Sequence, residues 1–233
     1  MTRDVRTYDH FCLVARALER VGDRWSLLVV RDLLTGPKRF TDLTARLGGI
    51  TPKTLSQRLR ELTDVGIVDV DRQPGRREVW YRLTPAGGEL GPVVDALAWW
   101  GLRHAWRWPL PGEPLHVEHL LGAITQAMEN ATDDHEPARW RFRFPDGDYL
   151  MECDGERWSL RTAAPKATQA PQMTHATQPG WDITVTATVE AFRQFLFDRS
   201  ESHQPTIDIV GDPVAVHRFD RLIHAFADTI DRP

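Results

Sequence analysis

The amino-acid sequence predicts an α+β chain of two domains, the first mainly helical with a short β-ribbon, the second a run of strands bracketed by helices. Three observations carry this. Thr51 to Gly66 (TPKTLSQRLRELTDVG) has a helix start signal, a stop signal and one apolar stripe. GIVDVDR and EVWYRL alternate apolar and polar residues on either side of QPGRR, as two strands around a turn do. Further on, WRFRF, YLMEC, RWSLRT and ITVTATV follow one another with strand periodicity before EAFRQFLF, TIDIVG and AVHRFDRLIHAFADTI. The length of 233 residues exceeds the usual single-domain size, and WPLPGEPLH, with Pro109, Pro111 and Pro114, reads as a stiff connector. The expected division is 1–108, a linker over 109–115, and 116–233.

Val5 to Thr35 has helical periodicity, with Leu13, Val14, Ala17, Leu18 and Val21 forming one stripe and Trp25 to Leu34 apolar around its circumference, as in a central core helix. Cys12 falls on the side away from that stripe, which favours a subunit interface or solvent over the monomer's own core. Phe40 to Leu47 forms a short helix with Phe40, Leu43 and Leu47 on one side, followed by a Gly48-Gly49-Ile50 turn. Thr51 then caps the next helix, Pro52 suits its first position, and Gly66 suits its end. Leu55, Leu59 and Leu62 recur as its buried stripe. Two helices in this spacing make a helix-turn-helix.

Opposite the leucines fall Lys53, Gln57, Arg60 and Asp64, flanked by Thr54, Ser56 and Arg58. These side chains are of the kinds that bond phosphates and base edges, which marks the segment as a DNA-recognition helix. The β-ribbon forms a wing whose tip carries Arg76 and Arg77, placed to reach phosphate or a minor groove. Pro92 to Trp108 is a further helix holding four of the nine tryptophans; Trp99 and Trp100 on it suggest a surface packed against a second subunit.

The run from Arg20 to Val68, with EVWYRLTPAG behind it and Cys12 ahead, resembles the HxlR family of winged helix-turn-helix transcriptional regulators. The resemblance covers Cys12 to about Trp100 and rests on Gly22-Asp23-Arg24-Trp25, Arg39-Phe40, Ile50-Thr51, Leu55, Arg58-Leu59, Leu62, Gly66, Tyr81 and Leu83-Thr84-Pro85. It implies a cytoplasmic homodimer on a roughly palindromic double-stranded operator, dimerised by the first and last helices of this region. The residues expected to contact DNA are Arg39, Thr51, Lys53, Thr54, Ser56, Gln57, Arg58, Arg60, Arg76 and Arg77. Cys12 sits where several members carry a redox- or electrophile-sensing thiol; a small buried hydrophobe at the interface is the other reading.

The order of elements in the second half, ITVTATVEAFRQFL followed by IDIVGDPVAVHRFDRLIHAF, is similar to that of SCP2 (sterol carrier protein) domains, an α/β sandwich. That likeness implies an apolar cavity for a hydrophobic small-molecule effector, lined by Trp140, Phe142, Trp158, Phe192, Phe195, Leu196, Phe219, Ile223 and Phe226. The same residues suit an ordinary filled core. Ala163 to Gly180, rich in Ala, Thr, Gln and Pro, stands where such domains have a short hairpin loop. Arg139, Arg141 and Arg143 alternate with aromatics, either to hold a ligand carboxylate or as an exposed strand face.

Charge separates the halves. Up to Trp108 there are 18 Lys and Arg against 13 Asp and Glu, and beyond it 11 against 20, so the chain's net charge of −4 conceals a basic first domain. DNA affinity follows local phosphate neutralisation, which turns the acidic half away from a duplex. The two cysteines form no CxxC pair, and no segment has the length or apolarity of a membrane span or signal peptide. His116 and His119 have i, i+3 spacing without a third metal ligand nearby, and no Gly-rich phosphate loop, HExxH or GxSxG motif occurs; no enzyme, metal or cofactor is expected. A hydrophobic-ligand carrier using its winged helix as an interaction module is the competing reading.

Overall fold

The chain from residue 7 begins with α1 (Leu13–Val21) and α2 (Ser26–Leu34), separated by a tight junction at Gly22–Trp25. The computed structural model describes residues 7–72, 78–107, 110, 113, 115–163, 180–197 and 207–230. It divides into two compact units, 1–97 and 98–233. In the first unit α3 (Phe40–Leu47) and α4 (Pro52–Asp64) follow, joined across Gly48 and Gly49, whose φ angles of 49° and 57° lie in the left-handed region that suits glycine. Beyond α4 come β2 (Val68–Arg72), β3 (Val79–Leu83) and the short α5 (Pro85–Gly88). With β1 (Lys38–Arg39) the strands form an antiparallel sheet of order β1-β3-β2.

One apolar core holds this unit together. Val29, Val30 and Leu33 of α2, Leu43 of α3, Leu55, Leu59 and Leu62 of α4, and Ile67 and Val68 at the start of the sheet are all buried in it. Each such side chain contributes about 1.5–3 kcal/mol through burial, so the leucine stripe is what fixes α4 on the domain. Gly87 permits a close approach that any side chain would block: a Cβ there would lie 2.2 Å from the Ile67 carbonyl oxygen.

The apolar stripe of α1 lies elsewhere than the sequence suggests. Leu13, Val14, Ala17 and Leu18 are exposed, whereas Ala15 and Val21 are buried. The stripe therefore faces away from the unit's own core, with Val21 at its end the part that joins it.

The two compact units divide after Leu97, within α6 (Gly91–His104). Leu90 and Val94 pack on the first unit's core, while Leu102 is buried in the second unit's core with Trp99 and Trp106 against it. Apolar residues along one continuous helix serve two cores, so composition alone does not locate the division. Trp108, Pro109, Pro111 and Pro114 lie outside the described residues.

The second unit continues with α7 (Val117–Ala131), β4 (Ala138–Phe144), β5 (Gly147–Cys153), β6 (Trp158–Thr162), β7 (Ile183–Thr186), α8 (Val189–Phe197), β8 (Asp208–Gly211) and α9 (Pro213–Ile230). Its sheet has the order β6-β5-β4-β7-β8, antiparallel except for the β4–β7 pair. Alternation explains its two faces. Trp140, Phe142 and Phe144 of β4, Tyr149 and Met151 of β5, and Ile183 and Val185 of β7 point into the core. The intervening Arg139, Arg141, Asp148 and Glu152 face outward in ion pairs, Arg139 with Glu152 at 3.2 Å among them. Most of the Ala163 to Gly180 insertion lies outside the described residues.

Candidate nucleic-acid interface

The reading helix α4 is built as its sequence dictates. The Thr51 hydroxyl accepts from the Thr54 amide at 3.2 Å, Pro52 occupies the first turn, and Gly66, with φ 73°, ends the run. Burial of Leu55, Leu59 and Leu62 turns the opposite face to solvent. Lys53, Ser56 and Arg60 are exposed there, with Thr51 at the head of the helix, and Thr54 and Gln57 half-buried beside them. The Arg60 Nε donates to the Ser56 carbonyl at 3.3 Å, and the Gln57 amide donates to Glu61 at 3.1 Å.

Arg58, expected among the DNA contacts, is paired within the protein. Its side chain is only 15% exposed, and its guanidinium pairs with Asp23 at 2.8 Å and with Glu61 one turn on. Periodicity places it beside the reading face, but two carboxylates hold it against the domain. Asp23 and Glu61 thus enter the site although the helix face alone does not announce them. The i, i+3 and i, i+4 spacings of Glu61 from Arg58 and Gln57 are the sequence signal that could have found the second.

Arg39 of β1 pairs with Trp80, near the turn end of β3. The Arg39 amide and guanidinium both donate to the Asp42 carboxylate, at 3.0 Å and 3.2 Å; the guanidinium also pairs with Glu78 at 3.2 Å and lies 5.5 Å above the Trp80 ring. Burial raises the Asp42 carboxyl, but the Arg39 amide and guanidinium outweigh it and hold the group below the usual carboxylate range. Arg82 braces β2 to β3 through Asp69 at 2.7 Å. Arg76 and Arg77, expected at the wing tip, lie outside the described residues. Asp32, fully buried in α2, is held by Arg46 at 3.2 Å and Arg31 at 3.3 Å, tying α3 to α2.

Cys12 is half-buried at the head of α1, between Phe11 and Leu13, which are 89% and 75% exposed. Trp99 and Trp100 part company: Trp99 packs on the second unit's core, 5.8 Å from the Arg103 guanidinium, while Trp100 is exposed beside His104, with ring centres 5.2 Å apart.

The expected pocket residues of the second unit come together, packed on one another. Trp140 lies 4.8 Å from Trp158 and 5.1 Å from Phe219, edge to face with the latter; Phe142 lies 5.8 Å from Phe192 and 6.0 Å from Phe219. Leu196, Ile223 and Phe226 are buried in the same cluster, and Phe195 is half-buried at its edge, parallel to Phe219 at 6.4 Å. Cys153 is buried on the same sheet face, its thiol donating to the His135 carbonyl, and burial pushes its pKa up. His116 and His119 touch edge to face at 5.3 Å, and no group of three metal-ligating side chains occurs among the described residues. None of the described helices is long and apolar enough to cross a membrane.

Known proteins resemble the first unit. The HxlR-like helix-turn-helix family profile matches residues 20–108. An HTH-type transcriptional regulator of Mycobacterium tuberculosis is 43% identical over 110 residues, which are 46% of this chain and 66% of that protein. The chain thus spans just under two thirds of the mycobacterial relative. A second, from Methanothermobacter thermautotrophicus, is 33% identical over 99 residues, 42% of this chain and 76% of the relative. Among solved structures, the transcriptional regulator YodB of B. subtilis in its reduced form is 32% identical, covering 41% of this chain and 95% of its own, with a TM-score of 0.37. On the match of its first unit, the chain belongs to the HxlR-like helix-turn-helix family of transcriptional regulators.

Proposed function

We propose that this protein is a homodimeric transcriptional regulator that sets two copies of α4 on a roughly palindromic operator. The outward face of α4 carries the reading: Lys53, Ser56 and Arg60 stand exposed on a helix whose other side is locked into the core by three leucines. Phosphate contacts position such a helix and base-edge contacts make it selective. The basic balance of the first 108 residues supplies the attraction. The second copy is provided for by the uncovered apolar residues of α1, Leu13, Val14 and Leu18, and by Val93, Leu97 and Trp100 of α6. Cys12, at the head of α1, then lies at the subunit interface, where either packing or thiol chemistry gives it a role.

The second unit is proposed as the effector-sensing half, on the strength of its SCP2-like order of elements and its aromatic supply. Its rings pack on one another between the sheet and the helices. A hydrophobic molecule would therefore enter by displacing Phe195 at the edge of the cluster rather than by occupying a ready cavity.

The test is selection of bound fragments from random genomic DNA, followed by a salt titration on the selected site. The wild type should bind with a steep salt dependence, and Lys53, Gln57 and Arg60 changed together to alanine should weaken specific binding by about 1–3 kcal/mol for each base-edge interaction removed. Full affinity in that variant, with its fold intact by circular dichroism, refutes the assignment of α4.

A further inference from the structure

We propose that Arg58 is the positioning residue of the reading helix and makes no contact with DNA itself. The inference rests on the DNA-binding reading and goes beyond it. Three observations on the first unit support it.

Arg58 is committed inside the protein. One terminal nitrogen meets Asp23 at 2.8 Å, the other meets Glu61, and its Nε is buried without a partner. Two carboxylates neutralise its charge, so it has little left to offer a phosphate. Reaching DNA would also strip Asp23 of its counter-charge.

Asp23 belongs to the junction between α1 and α2. Its other oxygen accepts from the Trp25 amide at 2.9 Å, and its carbonyl accepts from the Ser26 amide at 3.1 Å. It is therefore fixed to the head of α2, and it lies just after Gly22, which ends α1 with its amide on the Leu18 carbonyl at 2.8 Å. A carboxylate pinned at that junction and a guanidinium carried on α4 set the rotation of α4 about its axis.

The chain of contacts then runs on to the reading face. Glu61, which pairs with Arg58, also accepts from the Gln57 amide at 3.1 Å, so the orientation of a candidate base-reading side chain follows from the Asp23–Arg58 pair. Asp23, Arg58, Glu61 and Gln57 form one connected polar network from the α1–α2 junction to the surface of α4.

The experiment compares D23N, R58Q, R58K and D23N/R58Q in the full chain, by fluorescence anisotropy on the selected DNA over a range of salt. The sign for D23N is decisive. It removes a negative charge from a DNA-binding unit, so electrostatics alone would tighten binding; disruption of the positioning pair weakens it instead. Both D23N and R58Q should lower affinity by about tenfold, and the double variant should be no weaker than either, since coupled residues are non-additive. R58K keeps the charge and should weaken binding less. The amide oxygen that D23N introduces can still accept from the Trp25 amide, so the fold should hold by circular dichroism. The proposal is overturned if D23N binds as tightly as the wild type or more tightly while R58Q flattens the slope of log affinity against log salt by about one, the signature of one fewer phosphate neutralised. A wild type that binds no DNA refutes the functional reading itself, a separate outcome.

Discussion

Replacing Leu13 and Val14 together by glutamate should turn a dimer into a monomer without unfolding it. In the isolated chain Leu13 is 75% and Val14 66% exposed. Full burial of such side chains contributes about 1.5–3 kcal/mol each, so covering the exposed fraction is worth about 1–2 kcal/mol per residue. A two-fold interface presents the same residues from both copies, so the pair accounts for about 4–8 kcal/mol of gross interface energy. At 1.4 kcal/mol per decade that is about three to six decades in the dissociation constant, and the cost of burying four carboxylates adds to it. Light scattering at about 10 µM, where a specific dimer of nanomolar to sub-micromolar affinity is fully formed, should show a dimeric wild type and a monomeric variant. Circular dichroism melts should hardly change, because the stripe is solvated in the monomer. Two results would refute the reasoning. A monomeric wild type removes the partner for the stripe, and a variant that unfolds as a monomer makes these residues part of the chain's own core.

Three further outcomes can be checked separately. Arg76 and Arg77 to alanine should weaken binding to all DNA sequences alike and flatten the salt slope; an altered operator preference would make them base readers instead. Asp134 lies between Arg218 at 2.6 Å and Arg221 at 2.8 Å; burial raises its carboxyl, but the two guanidinium groups outweigh this and hold it below the usual range. A carboxyl depressed by folding contributes stability above its unfolded pKa of about 4 and loses it as pH falls through the folded value, so Asp134→Asn should lower the melting temperature at pH 7, by an amount that shrinks as the pH falls below about 4. Fluorescent fatty-acid or steroid probes should bind the full chain and bind less well to Phe195→Trp; an unchanged affinity, or no probe binding at all, reduces the second unit to a structural element.

The reading helix was the most legible part of the sequence. Thr51, Pro52 and Gly66 set its limits by local chemistry, and the leucine spacing sets its buried face, so neither depends on distant parts of the fold. The wing strands and the strand runs of the second half were legible for the same reason: alternation is local. Three features were not. The stripe on α1 has the periodicity of a core-facing helix, and periodicity reports that a face is apolar without saying what covers it. Arg58 stands beside the reading face in projection, and only the fold brings Asp23, thirty-five positions earlier, into contact with it. The place of α6 is the third, because residues of this one apolar helix supply both cores.

These features bear on how a signal could reach DNA. A disulfide or adduct at Cys12 would act first on α1, because Cys12 stands at its head and its carbonyl accepts from the Arg16 amide at 3.0 Å. The far end of α1 closes tightly: a Cβ at Gly22 would lie 2.5 Å from the Leu18 carbonyl oxygen, so no side chain fits there. A rotation or shift of α1 would meet the junction that follows it, where Asp23 is held by the Trp25 amide. With Asp23 paired to Arg58, such a displacement would pass to α4 and, through Glu61, to Gln57. A typical coupling of about 1–3 kcal/mol would change DNA affinity about 5- to 150-fold. The same dependence makes the idea testable without knowing the effector: in D23N, alkylation of Cys12 should change DNA affinity less than it does in the wild type.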